Sequence, residues 1–355
     1  MLRFLHRVLR AVLRSIWWKK NKLVLSADNK TLAVGSGNHW KSIYDYLALS
    51  NLAVVGGRAS TIGVGGLTLG GAITHHTNKY GLACYSVASY EIISASGAIV
   101  TVSEQTYPDL YLALCSGGNN FGIITTFNYE IFPQCLMFPS KRQYSATHIP
   151  ALFDAFGNTV QDAEEYFDPV DVSNPPDILN DYVSIPALNE ATKNTTLAEI
   201  TLGLTESMPA GLRKTMWSQL FKVNTELFSG GGASSIAFQA FTKPALRAMQ
   251  RKGGNALGLR PDDGPFFRVV LYLAWTDEKD DKTIYKAAQD FLAASTAESQ
   301  AADPYQPVIS GYGADSVARL NKVSSKYDPK GVFQTLQPTS FKLNGEAPFG
   351  AVVAI

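Results

Sequence analysis

At 355 residues the chain is long enough for two domains with substantial buried cores. Its 46% hydrophobic and 17% charged residues exclude a disordered chain, and 31 basic against 30 acidic residues leave no electrostatic footprint for nucleic acid. Three cysteines, Cys84, Cys115 and Cys135, form no CxxC pair, which argues against a disulfide scaffold or a structural zinc and leaves one disulfide open.

The first twenty residues stand apart. Arg3, Arg7, Arg10 and Arg14 fall on one helical face, with Leu2, Leu5, Leu9, Leu13 and Ile16 opposite, and no acid precedes Asp28. Arginine interrupts the pattern too often for a membrane span. It suits a helix lying on a membrane surface, a targeting helix, or a helix packed on its own domain.

Residues 23–25 and 31–34 then read as a hairpin around the turn Asp28-Asn29-Lys30. Helical spacing over 40–49 puts Trp40, Ile43, Tyr44 and Leu47 on one side, and residues 52–55 form a short buried strand. A glycine-rich loop follows, then a hairpin of strands 90–93 and 99–102, a short helix starting at Pro108, and a strand over 121–132. After Pro133 the texture changes to strands at 198–204 and 267–275 mixed with amphipathic helices at 151–166 and 283–297. The arrangement is α+β, with antiparallel sheet in the second half.

Chemistry concentrates in the loop. Seven glycines, at 56, 57, 63, 65, 66, 70 and 71, occupy sixteen positions, and no Asp or Glu occurs from Tyr46 through Tyr90. Average usage would give about one glycine there. Bare backbone can converge its N–H groups on an anion, and a stretch without carboxylates does not repel it. Thr68 stands where a dinucleotide fingerprint places its third glycine, and no Lys-Ser/Thr ending follows, so this is neither a Rossmann turn nor a P-loop. The competing reading is a set of turns between strands. Of the other candidates, the adjacent His75 and His76 make a weak metal pair, and Tyr182 and Tyr272 lie on strand-like segments. No catalytic base is singled out.

The segment Val55-Gly56-Gly57-Arg58-Ala59-Ser60-Thr61-Ile62-Gly63-Val64-Gly65-Gly66-Leu67-Thr68-Leu69-Gly70-Gly71 resembles the pyrophosphate loop of berberine bridge enzyme-like FAD-linked oxidoreductases. These belong to the vanillyl-alcohol oxidase, or p-cresol methylhydroxylase, superfamily. The resemblance continues through Lys79-Tyr80-Gly81-Leu82-Ala83-Cys84, Gly117-Gly118-Asn119-Asn120-Phe121-Gly122-Ile123-Ile124-Thr125, Gly253-Gly254-Asn255-Ala256-Leu257-Gly258-Leu259 and Tyr327-Asp328-Pro329-Lys330-Gly331-Val332-Phe333.

It implies an α+β fold with a p-cresol methylhydroxylase-type FAD-binding domain over 21–135, N-terminally incomplete, after a basic leader over 1–20. A substrate domain with antiparallel sheet over 136–300 would roof the flavin, and 301–345 would return to the FAD-binding domain. The backbone of Gly63, Val64, Gly65, Gly66 and Leu67 would hold the pyrophosphate, Gly70 and Gly71 would bring the following helix close, and Gly122 and Ile124 would border the cofactor. The implied reaction is hydride transfer from a small organic substrate, such as a secondary metabolite, to flavin and then to oxygen. The alternative is a catalytically inactive relative that acts as a binding protein or is a non-functional gene product.

The sequence departs from the family's pattern in several places. The flavin-linking Arg-Ser-Gly-Gly-His motif is absent, and neither His6 nor His39 matches it. The cysteine that makes a second flavin bond in some members would fall near Ala59, so with neither linking residue in place FAD is expected to be non-covalent. Tyr85 follows Ala-Cys in place of an acid or amide, an Asn-Tyr-Ala segment is missing near 301–307, and Ser316 and Thr339-Ser340 replace an asparagine and a Gly-Gly.

Overall fold

The computed structural model describes residues 19–134, 140–162, 177–192, 233–275, 277–298, 312–335 and 342–343. The first half is built on an antiparallel sheet of β1 (Leu23–Leu25), β2 (Thr31–Gly35), β3 (Leu52–Val54), β4 (Val87–Ile93), β5 (Ile99–Ser103) and β6 (Ile123–Pro133). Strand order is β1-β2-β6-β4-β5, with β3 pairing the far end of β6. Central position explains the composition of β6: Ile124, Phe127 and Tyr129 are buried, and the strand pairs with β2 on one side and β4 on the other.

Helix α1 (Trp40–Ala48) buries the four residues its spacing singles out, Trp40, Ile43, Tyr44 and Leu47. Asn51, at φ 52°, turns the chain into β3. Two short helices, α2 (Val64–Leu69) and α3 (Thr77–Tyr80), follow, and α4 (Pro108–Leu114) starts with its proline in the first turn, where no N–H bond is forfeited.

The second half contains β7 (Ser140–Tyr144) paired with β8 (Ala187–Thr192), and β9 (Ala233–Phe241) paired with β10 (Phe266–Ala274), both antiparallel. Helices α5 (Ile149–Asp162), α6 (Asn180–Ser184), α7 (Lys243–Ala248) and α8 (Asp281–Glu298) accompany them. Tyr182 therefore belongs to helix α6, not to a strand, because the alternating pattern around it starts only at Ala187. Tyr272 is in β10, opposite Ser235. The strand expected at 198–204 lies outside the described residues, as do residues 1–18, Cys135, 301–307 and Thr339-Ser340. No described helix is long and apolar enough to cross a membrane.

Two connections tie the later chain to the first half. Thr242, the N-cap of α7, donates to Asn78 at 2.9 Å, and Lys252 pairs with Glu130 at 2.6 Å. Further on, α9 (Ala314–Tyr327) lies on α4: Lys326 Nζ meets Asp109 at 2.6 Å and the Tyr327 hydroxyl donates to the same carboxylate at 2.7 Å. Asp328, nearly inaccessible, accepts the Val332 and Phe333 amides at 2.8 Å and so opens α10 (Val332–Thr335). Gln334 and Lys342 then both donate to Asn120 Oδ1, at 3.3 and 3.5 Å.

Candidate cofactor-binding site

The start of the glycine loop packs on α1, and its glycines do two different jobs. Gly56 and Gly57 are packing glycines. A Cβ on Gly56 would lie 2.1 Å from the Trp40 ring and 2.6 Å from the Tyr44 hydroxyl, and one on Gly57 would lie 2.5 Å from both Trp40 and Leu67. Trp40 and Tyr44 are buried, and the Tyr44 hydroxyl donates to the Gly57 carbonyl at 2.8 Å, so neither ring can retreat. Gly56→Ala should therefore cost about 1–3 kcal/mol of stability, read as a lowered urea midpoint with unchanged slope.

Gly63, Gly65 and Gly66 are of the other kind. Nothing lies within 4 Å of a Cβ on Gly63 or Gly66, and one on Gly65 meets only the Ser36 carbonyl at 3.8 Å. Gly63 is the N-cap of α2 and carries no side-chain cap. A helix leaves its first N–H groups unbonded, and here Val64 alone among them is satisfied, donating to the Asn38 carbonyl at 3.0 Å. Among the described residues no acceptor is bonded to the amides of Gly63, Gly65 or Gly66. Leu67, half-buried, is the fourth residue of α2, and its side chain lies against the Cβ position of Gly57. Three unbonded donors thus coincide with the three positions where bare backbone is open to approach. Such an arrangement has the donors and the room to receive an anion.

The helix holds this position through its other face. Val64, Thr68 and Leu69 are buried, and Thr68 Oγ1 meets the Tyr129 hydroxyl at 2.6 Å. Gly70 is exposed at the helix C-cap, while Gly71, at φ 99°, turns the chain so closely that a Cβ would lie 2.7 Å from Ser116 Oγ. Gly122 is likewise a packing glycine, its Cβ position 2.5 Å from Ile92, and the Ile124 side chain is in the core opposite Ile92. Only main-chain atoms of these two are therefore available to a ligand.

Sequence reasoning missed Ser36, whose carbonyl borders Gly65 and whose buried hydroxyl has no hydrogen-bond partner among the described residues. It also missed Asn38, which anchors Val64. The signal was present as Gly35-Ser36-Gly37-Asn38, which reads only as the end of a hairpin.

The remaining candidates fall elsewhere. His75 and His76 are half-buried, with the His76 ring edge-on to Phe132 at 5.3 Å. No group of three or more metal-ligating side chains occurs among the described residues. Cys84 and Cys115 are free thiols without exposure, and burial pushes the Cys84 thiol well up. Tyr85 and Ser316 are buried, and the Tyr85 hydroxyl has no partner among the described residues.

Comparison with known proteins agrees with this architecture. A family model described as an FAD binding domain matches residues 15–103. The chain is 30% identical to the FAD-dependent monooxygenase FUP4 of Fusarium proliferatum, over 87% of this chain and 72% of that protein. Its fold is similar to that of the xylooligosaccharide oxidase of Myceliophthora thermophila, with a TM-score of 0.71 at 15% identity, covering 94% of this chain and 81% of that one. The wild-type BBE-like 1 protein of Physcomitrella patens gives a TM-score of 0.66 at 16% identity, covering 89% and 79%. With an FAD binding domain, a p-cresol methylhydroxylase-type fold and this similarity to an FAD-dependent monooxygenase, the chain belongs to the FAD-linked oxidoreductases.

Proposed function

We propose that this chain binds FAD non-covalently, with the diphosphate on the cradle at the start of α2, and oxidises a small organic molecule by two electrons. The observation that carries the reading is the coincidence of three unbonded amides, Gly63, Gly65 and Gly66, with open space where their side chains would be. Bound FAD supplies a two-electron acceptor that oxygen regenerates. The protein's part is positional. The Gly63, Gly65 and Gly66 amides bind the anion, with the Val64 and Leu67 backbone holding them in place. Gly70 and Gly71 bring the segment toward Ser116 close beneath, and the main chain at Gly122 and Ile124 borders the cofactor. Ala59, in place of a flavin-linking cysteine, supports non-covalent attachment.

Each charge-assisted hydrogen bond from an amide contributes about 1.5–3 kcal/mol. The chain should accordingly retain visible flavin absorption after mixing with FAD and desalting, and riboflavin, which lacks the diphosphate, should bind at least about a hundredfold more weakly. Equal affinity for the two would remove the loop from the site.

A further inference from the structure

The antiparallel β9–β10 pair has two unlike faces. On one, the Phe238 ring packs edge-on against Phe153 of α5, centroids 4.9 Å apart, with Phe156 beyond at 6.4 Å. Directly opposite residues of an antiparallel pair share a face, and successive residues alternate. The register sets Gln239 opposite Arg268 and Phe241 opposite Phe266, both one step out of phase with Phe238. This second face meets the first half of the molecule, because Phe241 and Phe266 join its core.

Arg268 is a cation in an otherwise apolar run, Phe266-Phe267-Arg268-Val269-Val270-Leu271. Its guanidinium is exposed, and among the described residues no carboxylate comes within ion-pair distance of it. Its charge is nevertheless felt at Tyr312, whose hydroxyl burial pushes up to about 12 and Arg268 pulls partly back. Tyr312 donates to the Ser116 carbonyl at 3.2 Å, and Ser116 is the residue that Gly71 turns against. A guanidinium without an ion-pair partner among the described residues, with a largely buried amide opposite it, is thus carried on the face of the strand pair that meets the first half of the molecule.

We propose that Arg268, assisted by Gln239, is a specificity-determining anchor that selects substrates bearing a carboxylate or another anionic oxygen. The proposal deepens the oxidoreductase reading and rests on it for the word substrate. Arginine presents a planar fork of donors that matches a carboxylate in two-point contact, and the neighbouring glutamine NH2 adds a third donor. A neutral isostere would leave the guanidinium unmatched.

The test uses benzoate as the anionic probe and benzamide as its neutral counterpart, titrated calorimetrically into the full chain with and without FAD. The wild-type protein should bind benzoate at least tenfold more tightly than benzamide. Arg268→Gln should abolish that preference, Arg268→Lys should keep part of it, and Gln239→Leu should weaken benzoate severalfold while leaving benzamide unchanged. A wild-type protein without preference for the anion overturns the proposal, as does an Arg268→Gln protein that keeps it. Should Arg268→Gln fail to fold, the wild-type preference and Gln239→Leu still decide. Failure of the flavin reading shows separately, as absent flavin absorption, while the benzoate preference of the FAD-free chain still reports on Arg268.

Discussion

Gly66→Asp is expected to abolish FAD retention while leaving the FAD-free chain at least as stable as before. The two effects have opposite signs because they act on different things. Gly66 is in the first turn of α2, where a side chain meets nothing within 4 Å. A carboxylate at a helix N-terminus stabilises the helix by about 0.3–1 kcal/mol, and any residue with a side chain loses less backbone entropy there than glycine. The melting temperature of the FAD-free chain should hold or rise. For a diphosphate the same carboxylate is a like charge within the cradle, and its bulk fills the approach to the Gly65 and Gly66 amides. Losing two charge-assisted bonds is enough to lower affinity by at least about a hundredfold. Titration of the variant with FAD beside a thermal melt reads both effects. Wild-type affinity in Gly66→Asp would show that the diphosphate goes elsewhere.

The contrast with Gly56 explains how much of the site was legible in the sequence. Counting seven glycines and no acids located the loop but could not divide it. Gly56, Gly57 and Gly71 are there because Trp40, Leu67 and Ser116 press against the backbone, whereas Gly63 and Gly66 face open space. That division depends on long-range neighbours, which spacing along the chain does not reveal. Helix α2 was hidden for a related reason. Val64-Gly65-Gly66-Leu67-Thr68-Leu69 has poor intrinsic helicity, and tertiary anchors hold it: the Val64 amide on Asn38, and Thr68 on Tyr129. By contrast α1 and α4 were legible, one from its four-residue apolar stripe and the other from Pro108. Tyr182 went to a strand for want of a strong period, and Arg268 was overlooked because its meaning comes from register with Gln239, not from its own strand.

The second large effect is acid lability from His75 and His76. Burial lowers the His75 pKa from 6.5 to about 4, with the charges of Arg58 and His76 pushing the same way. Burial likewise lowers His76 to about 4, with Lys79 adding to it. The Nε2 atoms of both rings are buried without a hydrogen-bond partner among the described residues, and the aromatic rings of Tyr80 and Phe132 around His76 offer no acceptor for an imidazolium. Above pH 6.5 both rings are neutral in the folded and unfolded chain, and nothing is lost. As the pH falls through 6.5 the unfolded chain takes up protons that the folded chain refuses until about pH 4, so stability declines across that window. At pH 5 the difference is about 2 kcal/mol for each ring, less for the pair because the two imidazoles repel. Denaturant midpoints at pH 7.5 and pH 5 should therefore separate clearly for the wild type. They should draw together in a His75→Phe, His76→Phe double variant, where phenylalanine keeps the packing and removes the titration. An equally steep fall in the double variant would assign the acid sensitivity to other groups. A flat wild-type profile would mean that water or a ligand reaches the rings and accepts their protons.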